Sequence, residues 1–573
     1  MKTIYKLLLL LPLCTLLACN DDFLQRPPLD EVTSLHYFKT PNDLKAYVNQ
    51  FYTNANFPKF NDHGNDFNSD NQVALDPDTR LQGTRTIVTS GTIAFGAVRS
   101  INYFFDHYKA VQQNYALDDY KQYLGEAHFF KALIYFDLVK TYGDIQWLST
   151  ELGTSSPELY NPRDPREVVA DKILASLDTA AMYLTADKTR GSGRINKWMA
   201  LLVQSRVALF EGTWQKYHAG TPFAAANPQP EKYFNIAAKA ASDIMASGLY
   251  NIYTTGKPES DYKDLFKLRT YANNPEVMFW REYNNDLSRG ESSFTNTRNY
   301  YMIAPYGKTI TKSLADSYLC ADGKPVSVSP LFKGYQDLEA EKSNRDPRFS
   351  QTIATPAELW TLQPTGQTQL YRDLYAMLNT SARDNAPSGY VILKGYNPDL
   401  KYHVSQYEET PSILFRYAEV LLNYAEAKAE LGQLTQADID MSVKKLRDRA
   451  GMPNLVLSGI TKDPNWDFPA LPDYINEIRR ERRVELSLEG FRWDDIARWA
   501  AADELIVGKR PRGFKAAQVK INPFPVDANG FLDPYKNAMP DGYGFKPGRD
   551  YLNSIPVSEL VLNPSLKQNP GWE

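Results

Sequence analysis

One run of residues, Asp473 to Trp499, constrains this chain more than any other, because it threads charged side chains through an apolar helical stripe. Pro472 and Asp473 supply a helix start and Gly490 a stop, so the run is expected to form two helices broken at that glycine. At about 3.6 residues per turn, Ile475, Ile478, Arg482, Glu485, Leu486 and Glu489 share one face. If that face is buried its charges must be paired, since an isolated ion in an apolar interior is too costly to keep.

Glu485 and Glu489, one helical turn apart in this reading, admit two roles. Carboxylates separated by roughly 5 Å are the arrangement a retaining glycosidase uses. The other role is a buried ion network closed by Arg482, Arg492 or Arg498. Neighbouring carboxylates on a helix seldom face a shared open cleft, so the expectation is a structural network with Arg482, Glu485 and Glu489 as members.

The same stretch, Arg-Arg-Glu-Arg-Arg-Val-Glu-Leu-Ser-Leu-Glu-Gly-Phe-Arg-Trp-Asp-Asp-Ile-Ala-Arg-Trp, resembles the C-terminal signature of the SusD/RagB family. Members of that family are outer-membrane nutrient-binding lipoproteins of Bacteroidetes. The resemblance implies a mostly α-helical, SusD-like fold with tetratricopeptide-like helix pairs and long aromatic-rich loops. It also implies a role as the surface cap of a SusC-type TonB-dependent transporter.

The N-terminus fits a secreted, anchored protein. Lys2 and Lys6 precede an apolar run from Leu7 to Leu17, too short for a membrane span, and Leu16-Leu17-Ala18-Cys19 resembles the bacterial lipobox. Residues 1–18 are therefore expected to be a signal peptide and Cys19 the lipidated mature terminus, anchored to the outer membrane and exposed at the surface. Cys14 leaves with the signal and Cys320 has no partner, so no disulfide is expected. Asn20-Asp21-Asp22 resembles the acidic tag of surface lipoproteins, and Phe-Leu-Gln-Arg-Pro-Pro after it resembles the family's tether.

Charge is nearly balanced: 64 basic against 68 acidic residues give −4, and about −6 without Lys2 and Lys6. Nucleic acid, which asks for a basic surface, is not an expected partner. A mean hydropathy of −0.47 is that of an ordinary globule. The aromatic content is the more telling quantity, because 37 Tyr outnumber 27 Phe, which suits a surface that stacks on polar ligands.

Helical periodicity marks residues 41–53, 123–138 running to a stop at Gly143, 166–184, 195–214, 233–246, 412–431 and 436–450. Small Gly125, Ala127 and Ala132 allow close helix contact, and Phe-Lys-Ala-Leu-Ile-Tyr-Phe at 130–136 is similar to the family. No clean 34-residue repeat emerges. Residues 251–411 and 503–550 are rich in Pro, Gly, Asn and aromatics, the composition of long functional loops. The chain is accordingly divided into a helical region at 19–250 and a region at 251–573 that carries the ligand-side loops.

Further resemblances run through the chain: Phe95 to Asn102, Thr311 to Tyr318, Asp322 to Pro325, Asn344 to Phe349, Ser388 to Tyr390 before Lys394, and Ile555 to Trp572. One departure stands out. Many relatives carry a tryptophan about one turn before the aromatic residue of the helix near Phe95, where Gly91 and Thr92 stand here.

No motif for chemistry is evident. The six histidines are scattered without zinc spacing, and no nucleophile elbow, phosphate loop or dinucleotide fingerprint occurs. Asp62, Asp66, Asn68 and Asp70 alternate as in a calcium loop, but Val73 stands where an EF-hand needs glutamate. No enzyme activity, cofactor or metal is expected. The expected ligand is an oligosaccharide, with a peptide as the alternative because RagB-type relatives take up peptides, and glycoside hydrolysis as a third reading.

In the resemblance, the region after a short strand at Val277-Met278-Phe279 lies near the ligand face together with the Asp66 to Asn71 loop. At least one of Trp280, Tyr283, Tyr300 and Tyr301 is therefore expected to stack on a sugar, with Arg298, Asp66 and Asn71 as hydrogen-bonding neighbours. The alternative is that these rings pin the loop, and the loops with Trp360 and Trp466 come next.

Overall fold

The computed structural model describes residues 38–53, 56–57, 66–74, 76–188, 193–284, 308–355, 359–362, 368–370, 385–399, 410–519 and 522–573. Cys19, Arg298, Tyr300 and Tyr301 lie outside them. Among the described residues the helices of seven or more residues are α1 (Pro41–Asn49), α2 (Gly96–His107), α3 (Leu117–Tyr142), α4 (Arg166–Tyr183), α5 (Lys197–Tyr217), α6 (Pro230–Ala246), α7 (Tyr417–Glu430), α8 (Val443–Arg449), α9 (Asp473–Glu485) and α10 (Arg492–Arg498). The strands are short and pair antiparallel in twos: β1 (Gln72–Val73) with β3 (Thr309–Ile310), β2 (Val277–Arg281) with β6 (Ser412–Arg416), and β4 (Leu359–Leu362) with β5 (Thr368–Leu370).

Local sequence explains where the helices begin. Thr40 and Asp43 close a reciprocal capping box on α1, and the Asn196 side chain accepts the backbone N–H groups of Trp198 and Met199 at the start of α5. From α3 to α7 each helix packs on the next in sequence, and α7 packs on α9. Two glycines set how closely. A Cβ at Gly125 would come within 3.0 Å of Leu184, and one at Gly212 within 2.7 Å of the Phe234 ring, so α3 meets the end of α4, and α5 meets α6, at distances only a hydrogen permits.

The largest apolar core joins α1 to α6 with Phe279, Phe415, the buried face of α7 and residues 486–555, so it draws on both sides of residue 250. A second core gathers Ile310, Tyr318, Phe349, Tyr390 to Tyr396 and Phe514 around Val484 and Leu488. Among the described residues no helix is long and apolar enough to cross a membrane.

Three expectations need correction. Residues 412–416 are strand β6 rather than the first turn of a helix, which starts at Tyr417 with Arg416 extended; a short apolar run has no decisive period, and pairing with β2 settles it. The segment 436–450 is two short helices separated at Ser442. The helix from Asp473 ends at Glu485, not at Gly490, because Leu488 already adopts a left-handed conformation (φ 65°). Glu489 therefore lies in the connecting turn and does not continue the helical face.

Candidate functional site

The site is framed by the ion network that the sequence signature encodes. Glu485 is fully buried and receives Arg449 at 2.6 Å, Arg416 at 2.7 Å and Arg348 at 3.0 Å. Glu489 is held instead by Arg416 at 2.6 Å and Lys394 at 2.7 Å. The expected closure by Arg482, Arg492 or Arg498 is thus corrected: the partners come from distant segments. Arg482 bonds both oxygens of Asp495 at 2.9 Å and Asn423 at 2.9 Å, while Arg498 grips Glu426 at 2.6 Å. Sequence could not supply these pairings because the partners are brought together only by the tertiary fold.

Asp66 and Asn71, expected to face a ligand, are turned inward. Asp66 accepts the backbone N–H of Leu488 at 2.8 Å and of Gly490 at 3.2 Å, and the Asn71 amide at 3.0 Å. Arg483 donates to Asn71 at 2.8 Å, and Asp70 is clasped by Arg492 and Arg483. The polar loop is an anchor for the α9–α10 turn, and its Asp/Asn content serves backbone donors rather than solvent. Burial pushes the Asp66 carboxyl up, whereas Asp70, despite burial, is held down to about 2 by Arg483 and Arg492.

Of the strand-end aromatics, Tyr283 is buried with its hydroxyl 3.4 Å from Ser412 Oγ, which departs from a stacking role. Trp280 is half-buried, edge-on to Tyr271 with centroids 6.3 Å apart. Both rings pin the strand pair. Two distant segments nevertheless converge here, since Arg281 on β2 donates to the Phe57 carbonyl at 3.0 Å and pairs with Ser412 on β6.

Beside this convergence a cleft of about 500 Å³ opens between α2 and α3 on one wall and β6, α7 and the Gly490–Asp494 turn on the other. Its size is that of a small-molecule site. Phe57, Phe136, Phe415 and Phe491 supply rings, and Arg206 from α5 lies between two of them, 5.2 Å from the centre of Phe415 and 5.3 Å from that of Phe491. Glu419 on α7 holds the guanidinium through Nε at 2.6 Å and Nη2 at 2.7 Å. A planar cation fixed by a carboxylate and flanked by rings is pre-organised, so little side-chain freedom is lost when it binds. Lys140 and Asp494 add an ion pair at 3.0 Å, with exposed Asp137 beside it.

Glu485 and Glu489 do not suit hydrolysis. A glycosidase acid must hold a proton near neutrality. Burial opposes the charge on Glu485 and Glu489, but their arginine and lysine partners win and keep both below the usual range. Among the described residues the carboxyls pushed upward are Asp66 and Glu341, both buried and neither in the cleft.

Arg206, Phe415, Glu419 and Phe491 were not singled out from the sequence. Only Phe491 carries a signal, as an aromatic directly after the glycine that the sequence offers as a helix stop.

Comparison with known proteins agrees with this architecture. Residues 272–572 match the model of the SusD family. The chain is 25% identical to SusD-like protein P2 of Formosa agariphila, over 99% of each chain. Among solved structures it resembles a SusD-like protein from Bacteroides fragilis (TM-score 0.69, 23% identity, 95% of this chain and 100% of the other). A SusD-like carbohydrate binding protein from the same species gives TM-score 0.69 at 20% identity, covering 93% of this chain and 100% of the other.

Proposed function

This chain belongs to the SusD family, and from that premise we propose that it is a nutrient-binding lipoprotein that captures oligosaccharides at the cell surface and passes them to a SusC-type TonB-dependent transporter. The observation that carries the ligand reading is the Arg206 guanidinium held between Phe415 and Phe491 at an open cleft. Sugar rings present C–H faces to aromatics and hydroxyls to planar donors and carboxylates, and this cleft offers both. The description of one Bacteroides fragilis neighbour as carbohydrate binding supports the same class.

Binding without turnover is part of the proposal, because the charged carboxylates of the cleft are committed to ion pairs. Arg298, Tyr300 and Tyr301 are kept as contacts of the same ligand, and Cys19 as the lipid anchor in the outer membrane. A glycan array and a peptide library probed with the mature protein test the reading. Glycan capture with no new reducing ends is expected. Peptide capture alone would move the protein to the peptide-binding branch, and new reducing ends would make it a hydrolase.

A further inference from the structure

A second pocket, of about 550 Å³, lies apart from the cleft, between the chain at 313–335, the loop at 463–468 and the side of α9 that carries Asn476, Arg480 and Arg483. Its wall includes Phe332 and Tyr335, half-buried and packed edge to face with centroids 4.8 Å apart. Trp466 also lines it, at 7% exposure, and its indole N–H is buried with no acceptor. A buried donor left without an acceptor forfeits its hydration with nothing in return, so a group that persists in this state points to an occupant that supplies one.

The charges around the pocket say what that occupant is. Arg480 is bound to Asp463 at 2.6 Å, Arg483 and Arg492 to Asp70 at 2.8 and 2.7 Å, and Tyr335 donates to Asp316 at 3.0 Å. Arg480 also has Glu477 at 3.1 Å and Arg479 has Glu430 at 3.4 Å, so each guanidinium that lines the pocket faces a carboxylate. Asp467 is the loosest member: it is exposed, with ion pairs stretched to 3.4 Å and 3.9 Å. Arg479 Nε and Arg480 Nη1 are also buried without a hydrogen-bond acceptor, but both guanidiniums are ion-paired, to Glu430 and Glu477, so the pocket offers one neutral unmet donor, the Trp466 indole, and one weakly committed acceptor, Asp467, beside aromatic faces. A carboxylate ligand would meet the Trp466 donor but repel Asp467, and an ammonium would satisfy Asp467 but leave the indole unmet. A hydroxyl, donor and acceptor at once, answers both.

We propose that this pocket is a second binding site for a neutral polyhydroxylated ring, a sugar residue, held by the Trp466 indole N–H and the Asp467 carboxylate. It stands on its own geometry and does not depend on the ligand assigned to the Phe491 cleft.

The test uses the full mature chain labelled with 5-fluorotryptophan, with the Trp466 resonance identified by its loss in Trp466→Phe. The probes are methyl glycosides of glucose, galactose, mannose and xylose, against glucuronate and glucosamine. The expected result is a saturable shift of the Trp466 resonance by a neutral glycoside at millimolar concentration, weakened about tenfold or more in Asp467→Ala and unchanged in Phe491→Ala. Circular dichroism melts of each variant guard against misfolding. No saturable shift with any neutral glycoside up to about 100 mM overturns the proposal. So does a stronger response to glucuronate or glucosamine than to every neutral ring.

Discussion

The carboxylate of Asp66 accepts the backbone N–H of Leu488 at 2.8 Å, across more than four hundred residues of sequence. Leu488 is a non-glycine residue in the left-handed region, a conformation that persists only where surrounding contacts fix it. Asp66 supplies that fixing, and it also receives Gly490. A loop that reads as ligand-facing is thereby tied to the turn that presents Phe491 to the cleft.

Replacing Asp66 with alanine should leave the Leu488 and Gly490 N–H groups unpaired in the interior. A loss of about 2 to 4 kcal/mol is expected in denaturant unfolding, with Asp66→Asn intermediate because an amide oxygen still accepts. Equal stability of wild type and Asp66→Ala would show the turn to be held by other contacts.

The two halves of the ion network are separable by a double-mutant cycle. Arg482→Ala and Glu489→Ala are each expected to cost several kcal/mol, since each strands a buried partner. Arg482 and Asp495 should couple strongly, by about 1 kcal/mol or more, whereas Arg482 and Glu489, which share no bond, should be close to additive. Strong coupling of the second pair would contradict the pairings described.

Stability should respond to pH in opposite senses at the two kinds of carboxyl. Asp70 and Glu426 are held down to about 2, against burial, by Arg483 and Arg492 in one case and chiefly Arg498 in the other. Their stabilisation is present above the unfolded carboxyl range near 4 and is lost as pH falls towards 2. Glu341 runs the other way: burial, then Asp316, pushes it up to about 7. Its contribution is complete below about 4 and disappears as pH rises through 7. Denaturation midpoints from pH 2 to 8 should show steep acid loss, and Glu341→Gln should flatten the decline between pH 5 and 8. An unchanged neutral limb in that variant would place the Glu341 carboxyl in contact with water.

Lipid attachment gives a cellular prediction. Cys19→Ala should shift the protein from the membrane fraction to the soluble fraction. Retention of lipid and membrane association by the variant would move the anchor elsewhere.

Much of the architecture was legible because helical periodicity is local: α3 to α6 and α9 follow from spacing alone. The role of Arg482 and Glu485 as paired buried charges was legible too, since apolar spacing places them inside, whereas Glu489 is paired from a turn that helical spacing does not describe. Their partners were not, because Arg348, Lys394, Arg416 and Arg449 meet them only through packing of segments far apart in sequence. Asp66 and Asn71 misled for the same reason, as a polar loop that satisfies backbone donors has the composition of one that faces water. Phe415 and Arg206 gave no signal at all. An arginine on a helix and a phenylalanine on a strand become a pre-organised pair only when α5 and β6 are brought side by side.

The affinity of Phe491→Ala for the strongest glycan found on the array tests the central claim most directly. Phe491 is half-buried at the cleft, so its removal should leave the fold intact. The account predicts a loss of about 2 kcal/mol, roughly thirtyfold in Kd by calorimetric titration, with the melting temperature little changed. Wild-type affinity in a folded Phe491→Ala protein would contradict it and put the ligand somewhere other than this cleft.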